Sequence, residues 1–265
     1  MSRYAAMFEA LKARGDGAFG AFLMLGDPDI ATSAALLDAL VAGGADMIEV
    51  GIPFSDPVAD GPVIQAAAKR ALDAGVRVDD CFALIAGFRQ RHADIPIGIL
   101  TYANVVTARG RRTFMRDAAP AGTDSLLVAD LPSIEAAPWT EEMEQAGIEP
   151  VLIAAANTPP GALRTIARLS KAYTYCVSRV GITGVHAEAD FDSGLVERVK
   201  AAGAPPPIIG FGIASPKHVA AALSAGAAGV ISGSAIVQLV TAQDPARRII
   251  DFVSSMKSAT SMTRA

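Results

Sequence analysis

Along the chain, short apolar runs alternate with longer stretches in which apolar residues return every three or four positions. The short runs span Phe19 to Leu25, Asp46 to Gly51, Ile95 to Tyr102, Asp124 to Asp130, Glu149 to Ala154, Tyr173 to Ser178, Pro207 to Gly212 and Ala228 to Gly233. Runs of this length, bounded by Gly, Pro and Asp, predict buried β-strands. The stretches between them, such as Ser33 to Ala42 and Pro216 to Ala225, are alanine-rich and helical in spacing. Alternation of this kind predicts parallel strands joined by crossover helices. Glycine recurs shortly before several strands, in "AGGAD", "PAGTD", "QAGIEP" and "SAGAAG". A glycine at a helix end adopts the left-handed conformation that stops the helix. The recurrence is one αβ unit used repeatedly, not the fixed period of a solenoid.

Eight such units in 265 residues fit an α/β fold of (β/α)8 (TIM) barrel type, with residues 1–265 as one domain. The amphipathic start, "MSRYAAMFEALKARG", adds a helix ahead of the first strand. The alternative is an open doubly wound sheet, which prefers a G-x-G-x-x-G turn after its first strand. That strand ends in "LGDPD" and lacks the turn.

Composition changes this picture little. The chain is 51% apolar, high for a soluble protein, yet no uninterrupted apolar run reaches the ~18 residues of a membrane span. The apolar content therefore predicts a large core. The N-terminus carries Glu9 and Arg14 and lacks a signal peptide's apolar stretch, so the expectation is a cytoplasmic protein. Cys81 and Cys176 lack C-x-x-C or metal-ligand spacing and read as buried thiols. His92, His186 and His218 are far apart, which disfavours a histidine-built metal site. Net charge is −4 with Lys and Arg scattered, which is no nucleic-acid footprint.

The segment "DMIEVGIPFSDPVADGP" carries the first chemistry. If Ile48 and Val50 face the helices, strand alternation turns Met47, Glu49 and Gly51 into the barrel. Glu49 then points into the top of the barrel, the face where barrel enzymes hold their active sites. Desolvation there raises a carboxyl pKa and lets it give and take a proton near neutrality. The plainer reading is a structural glutamate paired with an arginine or with backbone N–H groups. Asp60, by itself, reads as turn chemistry or a helix cap ahead of Gly61-Pro62. Its weight comes from lying in the loop after Glu49's own strand.

Three glycine-bearing segments follow the last three strands: "GITG" (181–184), "GFGI" (210–213) and "SGSA" (232–235). In barrels, the loops after strands seven and eight often bind phosphate with the N-terminus of a short extra helix. Gly212, Gly233 and Ser234 suit that role, with Gly184 joining from the sixth loop. The six lysines lie in predicted helices, near the termini or, for Lys171, just before the sixth strand. A Schiff-base aldolase needs a lysine inside the barrel. Carbon–carbon cleavage here would have to run on acid–base chemistry, without metal or Schiff base.

The segments "GIPFSDPVADGPVIQ", "YTYCVSRVGITGV", "GFGIASP" and "GAAGVISGSAIV" closely resemble the tryptophan synthase α-subunit family, and the resemblance runs from about Met7 to near Lys257. It implies retro-aldol cleavage of indole-3-glycerol phosphate to indole and glyceraldehyde 3-phosphate, with no cofactor in this chain. Glu49 matches the family's general acid–base, and Asp60 matches the aspartate that bonds the indole N–H. Tyr175 matches a residue near the glutamate, turned inward on strand six with Cys176 outward. Phe22, Leu100 and Ile153 match apolar residues around the indole, with Tyr102 close by. Read from the residues alone, these positions are plain barrel core. Thr183 matches a loop-six threonine that bonds the aspartate when a lid closes. Phosphate contacts map to Gly184, Gly212, Gly233 and Ser234. The family also implies a β-subunit partner carrying pyridoxal phosphate, in an α2β2 heterotetramer, with contacts around Asp56 and Asn104. Two departures stand near the barrel mouth: Met24, where a threonine is common, and "AAANTPP" after strand five. Other readings are a stand-alone indole-3-glycerol-phosphate lyase, a sugar-phosphate isomerase on the same glycine loops, and a barrel that only activates its partner. The last predicts a broken carboxylate pair, and both carboxylates are present.

Overall fold

The structure, a computed structural model, describes residues 1–177 and 193–261. Eight parallel strands close into a barrel in chain order. They are β1 (Ala18–Met24), β2 (Met47–Gly51), β3 (Ile97–Thr101), β4 (Ser125–Val128), β5 (Glu149–Ala155), β6 (Thr174–Val177), β7 (Pro207–Gly210) and β8 (Gly229–Ser232). Helix α1 (Arg3–Arg14) precedes the barrel, and α2 (Ile30–Ala42) connects β1 to β2. Next come α3 (Pro62–Asp73) and α4 (Val78–Arg91), then α5 (Ala103–Arg109) and α6 (Arg111–Ala118) after β3. The later connections hold α7 (Ala137–Gln145), α8 (Pro160–Leu169), α9 (Ser193–Ala201) and α10 (Pro216–Ser224). The four-residue α11 (Ser234–Val237) follows β8, and α12 (Pro245–Ser258) closes the layer. Both expected additions, the N-terminal helix and the short helix after the last strand, are thus present.

Local chemistry sets the boundaries. Ser2 caps α1 by accepting a bond from the Ala5 N–H at 3.2 Å, and Gly15 ends it at φ 71°. Helices α3, α8, α10 and α12 each begin at a proline, whose missing N–H is no loss in a first turn. Several apolar runs overreach their strands at the ends. Asp46, for example, stands before β2. Its carboxylate accepts from the Phe19 N–H and from Lys257 Nζ, both at 2.7 Å, so it ties α12 to the barrel instead of extending the strand.

Alternation along the strands sorts two apolar layers. Phe19, Ala21, Leu23, Ile48 and Val50 pack outward against the helices. Phe22, Met24, Met47, Leu127, Val151 and Tyr175 pack inside. Helix α1 closes the N-terminal end of the barrel. Its Tyr4 hydroxyl shares a hydrogen bond of 2.9 Å with Ser125 Oγ, and its ring lies 5.5 Å from that of Tyr173. Gly98 is bare for this reason: a Cβ there would collide with Ser125 Oγ and come within 2.9 Å of the Tyr4 hydroxyl.

Cys81 and Cys176 are free and buried, and burial pushes both thiols up to about 12, so they pack as apolar groups. Among the described residues no acidic, histidine or cysteine cluster is arranged to hold a metal, and no helix is long and apolar enough to cross a membrane. His186 lies outside the described residues.

Candidate active site

Glu49 sits mid-strand on β2, with Phe22 of β1 and Gly98 of β3 beside it in register. It is 3% exposed. Among the described residues no arginine or lysine pairs with it; the Tyr173 hydroxyl donates to its Oε1 at 3.1 Å. Burial pushes the carboxyl up to about 8, and the nearby Asp60 charge adds to the rise, while the Tyr173 bond opposes it. At neutral pH the group is therefore mostly protonated, with its anion within easy reach. Tyr173 was not singled out from the sequence. The signal was there: it stands two residues before Tyr175, and the same alternation turns both inward.

Asp60 ends the loop after β2. It is not the cap of α3: Gly61 holds that position, without a side-chain bond. Its backbone is fixed on both sides, by its N–H to Pro57 O at 3.1 Å and by Gln65 Nε2 to its own carbonyl at 2.7 Å. One residue upstream, the Ala59 N–H donates to the Tyr102 hydroxyl at 3.2 Å. Burial raises the Asp60 carboxyl above its ordinary range, opposed by hydrogen bonding from Tyr102.

A cavity of about 290 Å³ opens at the C-terminal mouth, lined by Val58, Ala59, Asp60, Leu100, Leu127, Ala129, Ile153, Tyr175, Val177 and Phe211. The walls are apolar and Asp60 is the carboxylate on them. Leu100, Ile153 and Tyr175, which the resemblance sets at or near the indole, are among the lining residues. Leu127, Ala129 and Phe211 are additions; alternation on β4 marks Leu127 as inward, but nothing local marks Phe211. Glu49 lies one inward position below Leu100, since Gly98 is its register partner. Phe22 shares that deeper layer, and Tyr102 stands behind the loop, its ring 5.5 Å from Phe54. Gly210 is bare because a Cβ there would collide with the Tyr175 hydroxyl. Phe211 meets the Tyr175 ring edge-on, at 6.1 Å and 90°.

The last two loops meet at one pole of the mouth. Phe211 and Gly212 both take φ 76°, and the space beside Gly212 is open for 4 Å. Gly233 is the N-cap of α11 and Ser234 its first residue. Ser232 Oγ donates to Ile213 O at 2.7 Å and locks the two loops together. Thr183 and Gly184 lie outside the described residues. Asp56 and Asn104 are both exposed, on the loop after β2 and on α5.

The two departures also have places. Met24 turns inward over Gly51, where a Cβ would come within 2.9 Å of its methyl. The loop "AAANTPP" is held firmly: Thr158 Oγ1 accepts from the Ala155 N–H at 2.8 Å, and Arg198 donates to Ala156 O at 2.6 Å and Thr158 O at 3.3 Å.

Fold and site together define a (β/α)8 barrel with no lysine on its strands, a buried carboxyl on β2 and a second carboxylate on the wall of the mouth cavity. Comparison with known proteins narrows this. The family model described as "Tryptophan synthase alpha chain" matches residues 8–263. The tryptophan synthase alpha chain of Shewanella amazonensis is 47% identical, over 98% of this chain and all of its own. That of Klebsiella pneumoniae is also 47% identical, over 98% and 99%. Among solved structures, Mycobacterium tuberculosis tryptophan synthase aligns with a TM-score of 0.90 at 33% identity, over 98% of this chain and 99% of that one. The chain belongs to the tryptophan synthase alpha chain family, whose reaction, a lyase reaction, is cleavage of indole-3-glycerol phosphate.

Proposed function

We propose that Glu49 is the acid–base of indole-3-glycerol phosphate cleavage and that Asp60 holds the indole nitrogen. The observation that carries this is a fully buried carboxyl, pushed up to about 8, beneath an apolar pocket with a second carboxylate on its rim. Protonated Glu49 gives its proton to the ring carbon that bears the side chain. The ring becomes an indolenine, and ionised Asp60 stabilises the positive charge on its N–H. Ionised Glu49 then takes the proton of the side-chain hydroxyl. The carbonyl forms, the carbon–carbon bond breaks, and its electrons return to the ring nitrogen. Indole and glyceraldehyde 3-phosphate leave, with Glu49 protonated as at the start. A pKa near the working pH suits a group that must act both ways.

In this reading Leu100, Ile153 and Tyr175 hold the indole ring, with Phe22 and Tyr102 supporting them. Gly212, Gly233 and Ser234 receive the phosphate on backbone N–H groups, and α11 adds its dipole. Thr183 and Gly184 complete the lid and the phosphate site. The chemistry is complete without a cofactor in this chain, whose residues 1–265 act as one cytoplasmic domain. A β subunit carrying pyridoxal phosphate docks around Asp56 and Asn104 in an α2β2 assembly. Val58 and Ile134, 77% and 85% exposed on loops at the same end, support an apolar contact there.

The test is indole release by wild type and Glu49→Gln, each with and without a cognate β subunit. Wild type should release indole, faster with the partner, while Glu49→Gln falls to background yet still binds a glycerol-phosphate analogue. Fast turnover indifferent to the β subunit would make the protein a stand-alone lyase. Absence of indole under both conditions would sink the reading.

A further inference from the structure

Asp60 hangs between two anchors. Upstream, Ala59 is held by Tyr102. Downstream, the chain enters α3 at once, and Gln65 in its first turn grips the Asp60 carbonyl at 2.7 Å. The Asp60 backbone therefore moves with α3. What fixes α3 on the barrel decides where that carboxylate stands.

The buried face of α3 consists of Ile64, Ala67, Ala68 and Ala71, packed on β1 and α11. Alanines make a smooth surface that resists sliding poorly. The directional contact is Arg70. Its Nε and Nη2 reach the two oxygens of Asp27, each at 2.7 Å. The Asp27 side chain is only 1% exposed, so the pair is anchored in the protein rather than in solvent. Two parallel bonds fix both distance and orientation, which a single contact does not. Asp27 belongs to the loop after β1, and that loop is itself fixed. The Leu25 N–H donates to Gly51 O at 2.9 Å, and the Gly26 N–H to Ser33 Oγ at 3.0 Å. The framework that carries Asp27 is thus the β1–β2 edge that carries Glu49. Arg70 stands eight residues beyond Pro62, roughly 12 Å along the helix at ~1.5 Å per residue, and is not part of the cavity wall.

We propose that Arg70 is a positioning residue: its two-point bond to Asp27 sets the seating of α3 and, through it, the placement of Asp60 relative to Glu49. This rests on the reading of Asp60 as the group at the indole nitrogen. Because α3 also packs on α11, the same seating relates Asp60 to the phosphate pole.

The experiment measures steady-state indole release and thermal unfolding for wild type, Arg70→Met, Arg70→Lys, Asp27→Asn/Arg70→Met, Asp60→Asn and Asp60→Asn/Arg70→Met. A displacement of about 1 Å can cost on the order of 100-fold in rate, so kcat of Arg70→Met should fall by roughly 10-fold or more, with KM within about 2-fold. Arg70→Lys should recover only part, because an ammonium cannot match two oxygens at once. Asp27→Asn/Arg70→Met leaves no buried charge unpaired and should melt close to wild type while kcat stays low. Arg70→Met should add little to Asp60→Asn, since both act through one carboxylate. The proposal is overturned if kcat recovers together with stability in the paired variant, or if the Arg70 and Asp60 losses multiply. It is equally overturned if folded Arg70→Met turns over like wild type. An inactive wild type would bring down the functional reading along with it, whereas an active wild type with an indifferent Arg70→Met brings down this proposal alone.

Discussion

Replacing Tyr173 with Phe should move the pH dependence of indole release upward. The substitution keeps the ring against Tyr4 and deletes only the hydroxyl that donates to Glu49 Oε1. That bond favours the ionised carboxylate, so losing it must raise the Glu49 pKa above its present value of about 8. A hydrogen bond to a charged group is worth about 1.5–3 kcal/mol. At 3.1 Å this one is longer than the ~2.5–2.7 Å of a strong hydroxyl–carboxylate bond, so the lower end applies. About 1.5 kcal/mol corresponds to roughly one pH unit. The titratable groups coupled to Glu49 are Tyr173, Tyr175, Tyr4 and Asp60; the three phenols are themselves raised by burial and stay neutral, and Asp60 is unchanged by the substitution. In the proposed mechanism the first step uses protonated Glu49, so activity should be lost on the alkaline side as that proton leaves. The assay is kcat/KM for indole release between pH 6 and pH 10, fitted for its alkaline limb in wild type and Tyr173→Phe. An upward move of about one unit supports the assignment. A limb that stays in place, or moves down, would refute the claim that this hydroxyl stabilises the Glu49 anion.

Three further outcomes follow from the same geometry. Glu49 titrates near 4.5 when unfolded and near 8 when folded, so its contribution to stability is fully present below 4.5 and is lost as pH rises toward 8. Glu49→Gln should therefore be more stable than wild type near pH 7, by an order of about 3 kcal/mol, with the gap closing below pH 4.5 in urea titrations. Gly98→Ala should destabilise the protein by about 1–3 kcal/mol through collision with Ser125 and Tyr4, and Ser125→Ala should relieve part of the loss in denaturant melts. Arg198→Met frees the carbonyls of Ala156 and Thr158 and loosens the wall beside Ile153; KM for the indole substrate should rise a few-fold while kcat changes little.

The barrel was legible in the chain because its code is local. Period-two strands, period-near-four helices and glycine stops each rest on neighbouring residues, and those signals fixed which side chains of β2 and β6 face inward. Placing Glu49 and Tyr175 inside needed nothing more than alternation. Its protonation was legible in direction too, since a carboxyl inside a barrel must lose water. The motif around Asp60 carried the family, and with it the reaction.

Other features depend on residues far apart in sequence, and only closure of the barrel brings them together. A purely structural Glu49 would need an arginine or backbone N–H partner; the group that donates to it is Tyr173, 124 positions away. Nothing near Gly98 in the chain reveals that Tyr4 and Ser125 meet beside it. The alternative of Asp60 as a helix cap was reasonable from composition, but Gly61 takes the cap and leaves the carboxylate to the pocket. Arg70 reads as one more charge on an amphipathic helix until the loop after β1 delivers Asp27 to it. Sequence alone determined which residues turn inward and which elements they ride on, because those depend on backbone periodicity. Tertiary structure decided who meets whom at the mouth and floor of the barrel, because those contacts depend on strand register and helix seating, which no single segment encodes.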